Sequence, residues 1–201
     1  MAKLKAPLLS LGASGKLADA LVFFPWKGLN VVREFVVPSN PKTSGQTTQR
    51  GYMTEMVGLI HDFQAYAAHP LGEDDAVAYA ALASTFATPR TWFNQAVKIG
   101  IDCRTAGKSP RVYGDGSTTP GVASLAVELW EINALTTAGF FHYGTSKTAL
   151  IHTQASIHAA NKISATLAGL TAGVKYYWQF RATAPASQTE GLSGIYYGVP
   201  T

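Results

Sequence analysis

Leu170-Thr-Ala-Gly173-Val-Lys-Tyr176-Tyr-Trp178-Gln-Phe180-Arg-Ala182 is the stretch on which the fold reading turns. An apolar approach runs into a turn at Gly173, and strict alternation follows it. Successive side chains of a strand point oppositely, so Tyr176, Trp178, Phe180 and Ala182 share one face while Tyr177, Gln179 and Arg181 share the other. One face belongs to a core. Working outward, short strand-like runs recur at Val122 to Ile132, Gly139 to Tyr143, Ile163 to Leu167 and Gly194 to Val199, with turn residues between them. Regularly spaced short strands of this kind predict a β-sandwich.

The N-terminal half has a different rhythm. Lys16 to Phe24 and Leu29 to Val37 are rich in β-branched and aromatic residues, and Pro25-Trp-Lys-Gly28 between them supplies turn chemistry, which predicts a hairpin ended by Pro38 and Pro41. Tyr52, Met53, Met56, Val57, Ile60 and Phe63 then recur at helical spacing behind a cap at Thr43 or Ser44. A second, alanine-rich helix capped by Asp74 or Asp75 is expected to run to about Phe86. A third is expected from Arg90 to about Ile101, with Pro89 in its first turn. The three helices are expected to pack together over the hairpin. Thr105 to Pro120 shifts to Gly, Ser, Thr and Pro and reads as a linker, giving domains 1–106 and 107–201. The fold class is therefore α+β: a β-hairpin with a small helical bundle, then an all-β sandwich.

Composition excludes some functions. Of 201 residues only 14% are charged, and the +4 balance of 16 basic against 12 acidic residues is spread along the chain without a Lys/Arg run, so no nucleic acid partner is expected. The lone Cys103 allows no internal disulfide and reads as a small buried residue. Met1 to Ser10 is too short in apolar residues for a signal-peptide core, and no later run approaches a membrane span. The product is thus expected to be made and kept in the cytoplasm, or to leave it by a route that needs no signal, with no membrane partner.

Two resemblances bear on identity. Leu170-x-x-Gly173-x-x-Tyr176, Phe141-His-Tyr143-Gly-Thr-Ser146, Ile163 to Leu170 and Gly191-Leu-Ser-Gly194-Ile-Tyr-Tyr197 follow one another as in fibronectin type III modules, and residues 108 to 201 resemble that family. The resemblance implies a sandwich in which the Tyr176 hydroxyl closes a corner on nearby backbone, with Trp178 and Gly173 structural. Trp26-Lys27-Gly28, Val32-Arg33 and Pro38-Ser-Asn-Pro41-x-Thr43-x-x-Gln46-x-x-x-Arg50 resemble a region of uncharacterised proteins of bacteriophages, prophages and related bacterial genomes. This covers residues 10 to 104 and implies a virion or filament subunit.

Catalytic motifs are incomplete. Gly12-Ala-Ser-Gly15-Lys16 would need a glycine where Ser10 stands and a hydroxyl where Leu17 stands to form a phosphate loop. His61, His69, His142, His152 and His158 show no metal-ligand spacing, and Asp74-Asp75 point differently on a helix. No catalytic residue, cofactor or metal site is nominated. Trp26 and Lys27 at the hairpin tip, with Arg33 and Arg50, are the candidate subunit interface; Trp26 is equally a core candidate, and the two arginines are alternatively partners of Glu34 and Glu55. Tyr177, Tyr196 and Tyr197 are the candidate surface-binding residues. The expectation is a non-enzymatic structural subunit that assembles with its own copies, and with other virion proteins, in a phage head or tail or a helical tube. The alternative is a host-surface or glycan-binding module.

Overall fold

A computed structural model of the chain describes residues 2–4, 14–18, 20–37, 39–40, 42–132, 136–184 and 191–201. The chain divides into two compact units, Met1–Thr43 and Ser44–Thr201. Pro38 and Pro41, to which the sequence assigns the end of the hairpin, and Ser10 and Gly12 of the incomplete phosphate-loop motif lie outside the described residues.

The first unit is an antiparallel sheet of β1 (Ala2–Leu4), β2 (Gly15–Leu17), β3 (Leu21–Trp26) and β4 (Leu29–Glu34), in the order β1-β4-β3-β2. The expected strand from Lys16 to Phe24 is two strands. Ala18 takes a left-handed φ of 45°, Ala20 N–H donates to the Leu17 carbonyl, and β2 folds back with Leu17 opposite Leu21. The β3–β4 connection is tighter than Pro25–Gly28. Lys27 (φ 48°) and Gly28 (φ 77°) alone form it, with Trp26 opposite Leu29. Two central residues at positive φ match the right-handed twist of the flanking strands. The pair flanking such a turn exchanges both backbone bonds, so the next pair, Pro25–Asn30, exchanges none. The missing N–H of Pro25 therefore costs no bond in the β3–β4 ladder.

In the second unit three helices precede the sandwich: α1 (Ser44–Gln64), α2 (Glu73–Ala83) and α3 (Trp92–Thr105). Met56, Ile60 and Phe63 of α1 are buried as the periodicity requires, whereas Met53 is exposed. The buried residues of α2, Asp75, Ala78, Tyr79, Leu82 and Ala83, form one i, i+3, i+4 stripe. Helix α3 is capped by Thr91, whose hydroxyl accepts the Asn94 N–H, so Pro89 precedes the helix instead of entering its first turn. Glu55 and Arg104 form an ion pair that ties α1 to α3.

The sandwich follows: β5 (Gly114–Gly121), β6 (Ser124–Trp130), β7 (Ala138–Gly144), β8 (His152–Ala155), β9 (Ile157–Ala159), β10 (Lys162–Ala168), β11 (Tyr176–Ala184) and β12 (Tyr196–Gly198). Its sheets run β5-β6-β10-β9 and β12-β11-β7-β8, and every pairing is antiparallel. Leu125, Val127 and Leu129 stand opposite Leu167, Ala165 and Ile163, all buried. They meet Phe141, Tyr176, Trp178, Phe180 and Ala182 of the other sheet in one cluster. The face read from the alternation of β11 is thus the core face.

The segment expected to link two domains is instead a structural element: Ser117 to Gly121 of β5 pair with β6, and Tyr113 just before it is fully buried. The compact-unit boundary accordingly falls after Thr43, not after residue 106. The helices find their packing surface on the sandwich, because α2 contributes Ala78 to the sandwich core and Ile195 joins the helical cluster. β8 and β9, which lie outside the strand-like runs of the sequence, carry His152 and His158.

Candidate functional site

The most constrained polar group in the second unit is the Asp75 carboxylate. It is 1% exposed and accepts hydrogen bonds from Gly72 N–H at 2.8 Å, Asp115 N–H at 2.9 Å, Gly116 N–H at 3.1 Å and the Tyr196 hydroxyl at 2.7 Å. A carboxylate with this many donors is stabilised without a cation. The expectation that Asp74 or Asp75 caps α2 is corrected: Gly72 is the cap residue, and Asp75 bonds back to it from the first turn. The same carboxylate reaches β5 and β12, so it joins helix and sandwich.

Tyr196 therefore is not a surface residue. Its ring stacks on Trp178 at 4.6 Å, with the residue opposite Trp178 in the β11–β12 ladder, and its side chain closes the core. Burial, together with the Asp75 charge, pushes its hydroxyl well above the ordinary tyrosine range and keeps it a donor. Tyr197, next along the strand, faces the other way and is 56% exposed. It stands opposite the half-buried Tyr177, with the Lys175 ammonium 3.6 Å from its ring centroid and 5.2 Å from that of Tyr177. Two of the three proposed surface tyrosines thus form one patch with a lysine.

Tyr176 makes the corner that the resemblance implies: its hydroxyl accepts the Thr171 N–H at 3.2 Å, five residues upstream. Gly173 supports the turn at φ 75° and donates its N–H to the Pro200 carbonyl at 2.9 Å. Trp178 is fully buried and its indole N–H donates to Thr118 at 2.9 Å, across to the facing sheet.

Trp26 is 54% exposed at the hairpin end and is paired across the ladder with exposed Leu29. Lys27 forms the turn, and Arg33 lies with its guanidinium 5.4 Å from the Phe24 ring centroid. Arg50 is on α1 in the second unit, and its suggested partner Glu55 is held by Arg104. The structure therefore places Trp26, Lys27 and Arg33 on one small sheet and Arg50 in the other unit.

Two polar groups were missed by sequence reasoning. His69 bonds to Asp115 through Nδ1 at 2.7 Å, while its ring stacks on Trp130 with centroids 3.4 Å apart. This pair fastens the loop after α1 to β5 and β6. Glu131, 1% exposed, accepts from Thr136 N–H at 2.8 Å and the Thr136 hydroxyl at 2.7 Å; Thr136 also meets the Tyr113 hydroxyl at 2.9 Å. Burial pushes both the Tyr79 and Tyr113 hydroxyls up, and burial with the Asp102 charge pushes the Cys103 thiol up, which keeps it a protonated, weak nucleophile. Among the described residues no group of three or more His, Cys, Asp or Glu is placed to hold a metal ion, and no helix is long and apolar enough to cross a membrane. No protein-family model and no curated protein matches the chain.

Proposed function

We propose that this chain is a non-enzymatic structural subunit: its N-terminal strands bind other copies of the same chain, and its helices and fibronectin type III-like sandwich are carried outward on the assembly. The observation that supports this most is the state of the first unit. Among its described residues Val31 is the buried large apolar side chain, whereas Leu17, Leu21, Trp26, Leu29, Val36 and Val37 are exposed. A sheet with so small a core is marginal alone and gains stability when a neighbour covers it. A repeated copy in a closed or helical array supplies such a neighbour at every position. The resemblance of Trp26-Lys27-Gly28 through Arg50 to phage and prophage proteins favours a virion head or tail, or a tube, as the array. The Tyr176 corner favours the fibronectin type III-like reading of the sandwich.

The test is light scattering with negative-stain electron microscopy on wild type and on Trp26→Ser and Leu29→Ser. Wild type should form defined particles or tubes as concentration rises, and both variants should stay monomeric with unchanged helix ellipticity. A wild type that remains a monomer at high concentration and with other virion proteins present refutes the proposal. A second reading, a glycan-binding or host-surface module, is favoured by the patch of Tyr177, Tyr197 and Lys175. Binding on a glycan array that disappears in Tyr197→Ala would select it.

A further inference from the structure

A cleft of about 610 Å³ opens between α3 and the face of β7 and β11 that turns away from the sandwich core. Its apolar wall includes Phe86, Ile99 and Leu192. Among the described residues, several of its polar atoms lack hydrogen-bond partners. Gln95 is 2% exposed, and among the described residues its Oε1 has no hydrogen-bond partner. Buried polar atoms are rarely left so, and an unpaired one points to a missing partner.

Arg181 donates through Nε to Gln179 Oε1 at 3.3 Å, and among the described residues its terminal guanidinium nitrogens meet no acceptor. The His142 imidazole, two strand positions along from Arg181 on the neighbouring strand, likewise has no hydrogen bond among the described residues. The other charged groups lining the cleft, Lys98 and Asp102 of α3, are paired with each other one helical turn apart. Among the described residues, the cleft therefore sets a guanidinium with no carboxylate partner beside an imidazole with no hydrogen bond. Burial and the neighbouring Arg181 charge hold His142 below the ordinary histidine range, a sign that the positive charge is felt there.

We propose that this cleft binds a small organic carboxylate: the carboxylate on Arg181 and His142, an apolar body between Phe86, Ile99 and Leu192, and a hydroxyl or amino group donating to Gln95 Oε1. The volume lies within the range of small-molecule sites, roughly 300–1,000 Å³, and such sites combine an apolar lining with a few placed polar groups. A guanidinium fork matches a carboxylate in two bonds. The site lies wholly in the second unit, so it stands whether or not the first unit assembles.

Benzoate, para-hydroxybenzoate and para-hydroxybenzamide are the probes, followed by NMR of the His142 imidazole in the full chain under conditions where it is monomeric. The carboxylates should bind saturably and raise the His142 pKa, para-hydroxybenzoate more tightly than benzoate, and the neutral amide should leave His142 unmoved. Arg181→Gln, a change at an exposed residue, should weaken carboxylate binding at least tenfold. Gln95→Leu should erase the preference for para-hydroxybenzoate while retaining benzoate. Carboxylates that do not move His142, an amide that binds as well as its acid, or undiminished binding in Arg181→Gln would each overturn the proposal.

Discussion

Asp75→Asn changes one atom of the junction and tests whether helices and sandwich fold as one body. The Oδ1 atom accepts from Gly116 N–H and the Tyr196 hydroxyl, and Oδ2 accepts from the N–H groups of Gly72 and Asp115. An asparagine offers one oxygen, so whichever way its amide turns, the NH2 faces two donors. A hydroxyl can rotate and accept, but an N–H cannot. The amide therefore settles with its nitrogen toward Tyr196, and Gly116 N–H loses its acceptor. An orphaned buried donor costs roughly 1–3 kcal/mol, and the surviving bonds fall from the charged class, about 1.5–3 kcal/mol, toward the neutral one, about 0.5–1.5 kcal/mol. The neutral side chain escapes the desolvation cost of a buried charge, which offsets part of this. The net expectation is a loss of about 3 kcal/mol, or roughly 6–12 °C in Tm for a chain of this size. Tyr196→Phe should cost about 1.5–3 kcal/mol. The double variant should cost less than the sum, since Tyr196 is the group that accommodates the asparagine. Urea unfolding followed by helix ellipticity, with hydrogen exchange at β10 and β11, reads both parts of the unit. A loss below about 1 kcal/mol, or helices that melt while the β10 and β11 amides stay protected, would refute the reasoning.

Other expectations follow from the same contacts. Gly194→Ala would place a Cβ 2.6 Å from Ala78 Cβ and 2.7 Å from the Ala78 carbonyl carbon, where helix backbone cannot yield; a loss of about 2 kcal/mol or more in urea unfolding is expected, and a neutral result would disprove the close approach. Tyr176→Phe removes the corner bond to Thr171 N–H and should cost roughly 0.5–1.5 kcal/mol without altering particle formation. His158 is held below the ordinary histidine range mainly by burial, with Glu131 opposing. Its depressed folded pKa means that the unfolded chain takes up the proton first, so its contribution is intact above about pH 6.5 and is lost as pH falls below that value. His158→Gln should flatten the acid limb of stability against pH, leaving the slope that His142 contributes with the same sign; an unchanged limb would exclude His158 as its source.

What the sequence made legible was alternation with large side chains. Tyr176, Trp178, Phe180 and Ala182 declare a face by themselves, and Met56, Ile60 and Phe63 do the same for α1. Where composition and tertiary context disagree, the reading fails. Gly114-Asp-Gly-Ser-Thr-Thr-Pro-Gly121 has few strand formers, yet it is β5, because its pairing with β6 and the bonds from its amides to Asp75 outweigh local preference. Ile195-Tyr-Tyr197 fixes that its two tyrosines face opposite ways but not which of them is inside. The answer lies in register: Trp178 stands opposite Tyr196, so the tyrosine paired with the core tryptophan is the buried one. Gln179, on the outward face, is nonetheless 2% exposed, since Ser193 accepts its amide and the Gly191–Ile195 strap covers it. The cleft beside Gln95 combines residues from α3, β7 and β11, and no local spacing announces such a convergence.

Burial also separates what holds each unit together. The second unit contains two apolar clusters and a fully bonded carboxylate at their junction, so its stability is supplied within the chain. The described part of the first unit leaves six large apolar side chains exposed. Burying a large apolar side chain completely contributes about 1.5–3 kcal/mol, and these are already partly covered, so covering all of them gains on the order of 6 kcal/mol per copy. Association costs roughly 4–15 kcal/mol in lost freedom and side-chain ordering. A single pairing that covers only some of these side chains is therefore marginal, whereas a copy held on two or more sides can bury all of them, and cover its neighbours' side chains as well, while losing its translational freedom once. On the proposed reading this balance favours a many-membered array over a stable dimer, because only repetition makes so small a sheet sufficient.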